Sequence, residues 1–334
     1  MLPKTYRKVI ASHFSSHFRE AATIVEAELL PPAAHEITVR NHYAGVNATD
    51  VNISAGSYTP GSQPPIDLGA EMVGEVVAVG EKVTEFKVGD YVATNSLGGY
   101  AEYVTVRSRY AMPVPEATPE VLSLVISGTT AAIGLKVTGE MRTNETVLVT
   151  AAAGGTGQFA VQLAKLAGNQ VIGTCSSEDK AELLRQLGCD RVINYRQEDV
   201  GAVLKAEYPR GVDLVYESVG GQLFDTCVDN LAVRGRLVII GYISEYLSAP
   251  EMVTRPRIYR TPLSKSATLR GMFLLHFIKQ VPEQMAELVK LYTAGKLQAA
   301  VDGRTFRGVE QVADAVEYLH SGRSSGKVVV TFAG

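Results

Sequence analysis

The hydrophobic rhythm of the chain changes about a third of the way along. Up to there, apolar and polar residues alternate in short runs at Thr23–Leu29, Glu36–Ala44, Gly74–Val79 and Tyr100–Val106. A two-residue period predicts strands with one buried face. Pro31-Pro32, Pro64-Pro65, Gly89-Asp90 and Gly98-Gly99 break the runs as turns. Short strands with frequent turns predict a small barrel-like β domain. From about residue 121 the pattern alternates between strand and helix. Strands are predicted at Thr146–Thr150, Gln170–Thr174, Arg191–Tyr195, Asp213–Glu217, Arg236–Gly241 and Thr268–Leu274. Helices are predicted at Thr156–Ala167, Glu178–Leu187, Val200–Glu207, Leu223–Val233 and Pro282–Ala294. That alternation predicts a parallel doubly wound sheet, so the fold class is α/β. A last helix, Val309–His320, and a last strand, Lys327–Phe332, are expected to return to the β domain. The expected domains are residues 1–120 completed by 295–334, and residues 121–294.

One place in this pattern carries chemistry. The apolar run Thr146–Thr150 leads into Ala151-Ala152-Ala153-Gly154-Gly155-Thr156-Gly157, and a helical pattern follows at once. Strand, glycine turn and helix bring backbone N–H groups and a helix N-terminus up to a pyrophosphate. The glycines let the main chain approach where a side chain would block it. A second strand follows at the spacing of a βαβ unit, ending in Thr174-Cys175-Ser176-Ser177. A site that prefers NAD ends this strand with an acid that accepts the ribose hydroxyls. Here hydroxyls stand instead, with Lys180 nearby, and both suit a phosphate on the ribose. The expected cofactor is therefore NADPH. Tyr195, at the end of the third strand, is placed to donate a phenolic hydrogen bond or stack near the adenine. Lys180 also fits a solvated helix position, and Glu178 and Asp179 would repel a phosphate if they faced it. Strand ends line the ligand crevice of such a sheet, which nominates Glu217–Gly221 and Ile240–Ile243.

Composition narrows the classes. The 334 residues are 46% hydrophobic with a net charge of −3, enough for a sizeable core and without a basic stripe for nucleic acid. Cys175, Cys189 and Cys227 are too few and scattered for a disulfide framework, which fits a reducing compartment. No secretory signal and no apolar run long enough to span a bilayer are read, so a cytoplasmic location is expected.

Several stretches resemble the medium-chain dehydrogenase/reductase superfamily over essentially the whole chain. They are Gly45-Val46-Asn47-Ala48-Thr49-Asp50, Ser127-Gly128-Thr129-Thr130-Ala131, Val149 through Ala160, Ile172 through Ser177, Tyr216 through Gly221, and Gly271-Met272-Phe273-Leu274. The resemblance implies a GroES-like β-barrel domain joined to a Rossmann domain, and a homodimer. Zinc alcohol dehydrogenases of this superfamily carry Cys in a G-x-C motif and His in G-H-E. Here those stretches read Gly45-Val46-Asn47 and Gly69-Ala70-Glu71, and no cluster of four cysteines is present. No metal site is expected. The motifs are similar to the zinc-free quinone oxidoreductase and prostaglandin/enone reductase branch.

The resemblance implies a cofactor set. Gly154, Gly155, Thr156 and Gly157 would meet the pyrophosphate, and Ser176, Lys180 and Tyr195 the 2′-phosphate. Ser218, Ile240 and Tyr246 would contact the riboses and adenine, and Phe273, Leu274 and Leu275 the nicotinamide pocket. Thr130 and Ser324 complete the set, although relatives often have Asn where Ser324 stands. The implied reaction is hydride transfer to the β-carbon of an α,β-unsaturated ketone, with charge developing on the carbonyl oxygen. Candidate donors for that oxygen are the nicotinamide ribose hydroxyl, the Tyr58 hydroxyl and the Asn47 amide. Asn47 also reads as the N-cap of a helix beginning at Ala48, and Tyr58 as a loop tyrosine. Asp50 and Glu71 are expected to make structural hydrogen bonds. The partner is a hydrophobic enone or a quinone, with a non-catalytic NADPH-binding protein as the reading from another class.

Overall fold

The computed structural model describes residues 2–58, 60–248, 252–253 and 256–332. The chain folds as two units, Met1–Ile126 with Ala299–Gly334, and Ser127–Gln298.

The first unit holds strands β1 (Thr5–Ala11), β2 (Ala22–Glu28), β3 (Glu36–Gly45), β4 (Ile66–Asp67), β5 (Met72–Val79), β6 (Tyr91–Thr94), β7 (Tyr103–Arg107) and β8 (Ala111–Pro113). The tail adds β15 (Phe306–Arg307) and β16 (Val329–Thr331). One sheet runs β15-β16-β3-β5-β6-β8, with β7 also paired to β3, and a smaller sheet runs β2-β1-β4. Alternation along β3 sends Ile37 and Val39 inward to pack with Met72, Val76 and Val92. β16 pairs antiparallel with β3, Val329 opposite Gly45. The ladder continues past the strand ends, where the Val46 N–H donates to the Val328 carbonyl at 2.9 Å. This register brings Lys327 beside Asn47.

The second unit holds β9 (Thr146–Val149), β10 (Gln170–Cys175), β11 (Arg191–Asn194), β12 (Val212–Glu217), β13 (Leu231–Ile239) and β14 (Thr268–Gly271). They form one sheet in the order β11-β10-β9-β12-β13-β14, parallel throughout. Leu148, Ile172, Ile193, Val215 and Leu237 fill its core. Chain order reverses between β9 and β12, and in such sheets ligands bind outside the strands' carboxyl ends at that switch point.

Two expectations are corrected. The helix read over Leu223–Val233 runs from Gly221 to Asp229, and Leu231 already opens β13. An apolar stretch too short to show a period was assigned to the wrong neighbour. The chain also has a helical run that was not read, Pro119–Thr138, including the π-type segments Leu124–Gly128 and Gly134–Thr138. By length and composition it passes for a membrane span, so the reading that no run is long enough does not hold. Of its most apolar window, 83% is buried inside the protein, as a core helix would be.

Candidate functional site

The carboxyl edge of the parallel sheet collects most of the residues read from the sequence. After β9 the main chain turns through Ala151, at a φ of +44°, into the helix Gly157–Leu166. Ala151 N–H donates to Thr174 Oγ1 at 3.3 Å and Ala152 N–H to the Thr174 carbonyl at 3.0 Å, which tie the turn to β10. Gly157 is fixed by close approach. A Cβ there would lie 2.5 Å from the Ala151 carbonyl oxygen and 2.7 Å from Ala152 Cα. Thr156 stands at the N-cap position, and its hydroxyl donates to the Ser127 carbonyl at 3.1 Å. Gly154 and Gly155 lie in the turn just ahead of that helix start, whose first N–H groups are the natural seat for an anion.

On the next strands, Ser176 follows β10 and Tyr195 follows β11. Cys175 is opposite Asn194 in the ladder, so Ser176 and Tyr195 leave adjacent strands together. Ser177 caps the helix Glu178–Gln186 by accepting the Lys180 N–H. One turn in, the Lys180 ammonium reaches back to Ser176 Oγ at 3.4 Å. Ser176 is buried and Tyr195 is half-exposed. Glu178 is engaged by Arg185 at 2.8 Å, which balances one of the two acids that would oppose a phosphate. The Cys175 thiol is pushed up by burial and is not an activated nucleophile.

Beyond the switch point the loop after β12 hangs on Glu217, whose anchoring role was not read from the sequence. This fully buried carboxylate accepts the Val219 and Gly220 N–H groups at 2.8 and 3.0 Å through Oε1. Burial raises its pKa, and these N–H bonds oppose the rise. Thr150 Oγ1 accepts the Ser218 N–H at 2.9 Å, so the ends of β9 and β12 are stitched together. Ile240 N–H donates to the Glu217 carbonyl at 2.7 Å. The Tyr246 ring stacks edge-on against Tyr242 at 4.7 Å. A Cβ on Gly241 would sit 2.8 Å from the Tyr246 hydroxyl. After β14, Phe273 packs edge-on against His276, Leu274 is half-buried and Leu275 is exposed. Thr130 is buried in the short helix Thr129–Ile133. The remaining candidate, Ser324, belongs to the first unit and is half-buried in the loop before Lys327, where Asp302 accepts the Ser325 N–H at 2.8 Å.

The first unit brings together a buried polar cluster. Lys327, 2% exposed, donates to Glu71 Oε1 at 2.5 Å and to Asn47 Oδ1 at 2.8 Å. Asn47 Nδ2 donates to the same Glu71 oxygen at 3.0 Å and, more weakly, to the Gly45 carbonyl at 3.4 Å. Glu71 Oε2 accepts the Ile126 N–H at 2.8 Å, a donor that lies within the π-type segment. The packing leaves no slack, because a Cβ on Gly45 would meet Glu71 Oε1 at 2.2 Å. Asn47 is therefore not an N-cap. The helix runs Asp50–Ser54, its N-cap position is Thr49, and the Asn47 side chain looks the other way. Tyr58 follows that helix in a turn and is half-buried.

Asp50 sits beside this cluster. Its Oδ2 accepts the Tyr100 hydroxyl at 2.6 Å and the Asn47 N–H at 2.8 Å. Burial pushes its pKa up to about 6, against the pull of those bonds and of Lys327. The folded protein thus holds this proton more tightly than the unfolded chain does. As pH rises from about 4 to about 6 the unfolded chain releases it first, and the free energy of unfolding should fall by about 3 kcal/mol before levelling off. Denaturant titrations across that range should show the slope in the wild type and a flatter line in Asp50→Asn. Parallel lines would show that Asp50 does not carry the pH dependence.

A zinc site is poorly matched to this first-unit cluster. At the motif positions of the zinc ligands stand an amide and Ala70, and a lysine ammonium already neutralises Glu71. Among the described residues no three His, Cys, Asp or Glu side chains gather as a metal would need.

Comparison with known proteins gives two family matches, the Alcohol dehydrogenase GroES-like domain over residues 33–116 and Zinc-binding dehydrogenase over residues 155–293. Prostaglandin reductase-3 of Mus musculus is 47% identical, over 98% of this chain and 90% of its own length. A probable quinone oxidoreductase of Leishmania amazonensis is 44% identical over 98% of both chains. Among solved structures, Escherichia coli quinone oxidoreductase complexed with NADPH superposes with a TM-score of 0.86 at 29% identity, covering 98% of this chain and all of the other.

Proposed function

We infer the function from the premise that this chain belongs to the medium-chain dehydrogenase/reductase superfamily, in the branch of the quinone oxidoreductases and prostaglandin reductases. It is an NADPH-dependent oxidoreductase, and the acceptor we propose is an α,β-unsaturated ketone reduced at its β-carbon. When bound, NADPH supplies the hydride. Gly154, Gly155, Thr156 and Gly157 would hold its pyrophosphate. Ser176, Lys180 and Tyr195 would hold the 2′-phosphate. Ser218, Ile240 and Tyr246 would line the riboses and adenine. Thr130, Phe273, Leu274 and Leu275 would complete the cradle.

One observation supports the class of acceptor. The cluster around Asn47 offers hydrogen-bond donors and a paired ammonium, which suit an acceptor whose carbonyl needs only a donor as charge develops on it. Conjugated enones and quinones are such acceptors. The Tyr58 hydroxyl and the weakly held Asn47 N–H, now 3.4 Å from the Gly45 carbonyl, are the donors we propose. Quinone reduction is the second reading, favoured by the likeness to the two quinone oxidoreductases. A symmetric homodimer and a cytoplasmic location belong to the same proposal.

The test is loss of NADPH absorbance with a panel of 15-oxoprostaglandins, medium-chain alkenones and quinones. Turnover on enones, with the saturated ketone as product, is the expected result. Turnover on quinones alone would select the second reading. Silence on both, with NADPH bound, would leave a cofactor-binding protein.

A further inference from the structure

Lys327 is an unusual use of a lysine. It lies inside the protein at the mouth of an apolar strand, with a carboxylate that is itself fully buried. A buried ion pair gains little over well-packed apolar side chains of the same volume, because desolvation of both charges offsets their attraction. Stability alone does not explain why the chain places one here. The geometry around Asn47 does. Its Oδ1 faces the ammonium and its Nδ2 faces the carboxylate. Turning the amide over would set oxygen against carboxylate and NH2 against ammonium, both repulsive. The pair thus fixes one orientation of the amide. In that orientation the second Nδ2 hydrogen points toward the Gly45 carbonyl along a bond long enough to be exchanged.

We propose that Lys327 is a positioning residue for the reduction, its ammonium with Glu71 locking the Asn47 amide so that Nδ2 is presented as the donor to the substrate oxygen. The proposal rests on the reductase reading above. Lys327 touches no substrate and acts through Asn47. Its charge is needed at one point in space, and its aliphatic stem only carries it there.

The experiment compares wild type, Lys327→Met, the doubly neutral Glu71→Gln/Lys327→Met and Lys327→Ala, each with NADPH and the best acceptor. Lys327→Met should lower kcat at least about tenfold while KM for NADPH stays within about twofold, since removing one donor to a developing oxyanion has a large kinetic effect. The double variant removes both charges of the pair together and should fold with the same low kcat. n-Propylammonium should restore part of the kcat of Lys327→Ala, and n-propanol should not. A folded Lys327→Met or double variant with wild-type kcat would overturn the proposal. Should neither fold, Asn47→Ala keeps the ion pair and decides alone. A loss of kcat with unchanged KM for NADPH supports the proposal, and an unchanged kcat ends it. A wild type silent on enones and quinones brings down the reductase reading and this one with it, whereas an active wild type beside equally active variants brings down only this one.

Discussion

Glu71→Ala should lower the free energy of unfolding by about 3–5 kcal/mol, the usual consequence of removing one partner from a buried ion pair. Three groups lose their acceptor at once. The Lys327 ammonium is left without its carboxylate, and the Asn47 amide and the Ile126 N–H lose their partner. Lys327 and Asn47 have no ready access to water in exchange, since both are buried. Glu71→Gln/Lys327→Met should cost much less than Glu71→Ala, because the Lys327 ammonium is not left buried without its carboxylate, and this non-additivity is the signature of a coupled pair. The chain has no tryptophan, so urea unfolding is best followed by far-ultraviolet circular dichroism. A loss below about 1 kcal/mol in Glu71→Ala would mean that water or a neighbouring acceptor replaces the carboxylate, and the locked amide would lose its physical basis.

The same cluster shows where reading a sequence stops. The Rossmann half was legible because each of its elements announces itself locally. β9 and the helix after the glycine turn begin and end within a residue or so of the positions read from alternation and glycine spacing. The places of Ser176, Lys180 and Tyr195, the residues proposed for the 2′-phosphate, were legible for the same reason, since each lies just past a strand end that the pattern already marked. Pro119–Thr138 was missed because it is buried nearly all round and so shows no polar face to set a helical period. Lys327 was missed for another reason. A lysine at the start of an apolar strand looks like an ordinary solvated end, and its partner Asn47 lies 280 residues earlier. Only the β16–β3 register brings them together. Asn47 itself was singled out, but the N-cap role came from the local rule, and the long-range partners override it. Glu217 offered a faint signal, an acid ending an otherwise apolar strand, and that signal points to an anchored loop.

Lys180→Glu should lower kcat/KM with NADPH by about 100-fold and leave kcat/KM with NADH within about threefold. A charge-assisted hydrogen bond to phosphate contributes about 1.5–3 kcal/mol, which corresponds to roughly 10–100-fold, and a carboxylate in its place adds repulsion. The placement supports this size of effect. The ammonium is already turned back toward the buried Ser176 hydroxyl and needs no large rearrangement to meet an anion between them. The cap of this helix is the Ser177 side chain, which accepts the Lys180 backbone N–H and does not involve the ammonium. The substitution should therefore leave the fold intact, and a neutral Lys180→Met should fall between, at about tenfold, since it removes attraction without adding repulsion. Of the two acids nearby, Glu178 is held by Arg185, so reversal at residue 180 is the change that tips the local charge. Equal losses with both cofactors would show that Lys180 supports the strand end without reading the phosphate. An unchanged preference for NADPH would move the discrimination elsewhere, to Tyr195 and the hydroxyls of Ser176 and Ser177, which Ser176→Ala and Tyr195→Phe would then test.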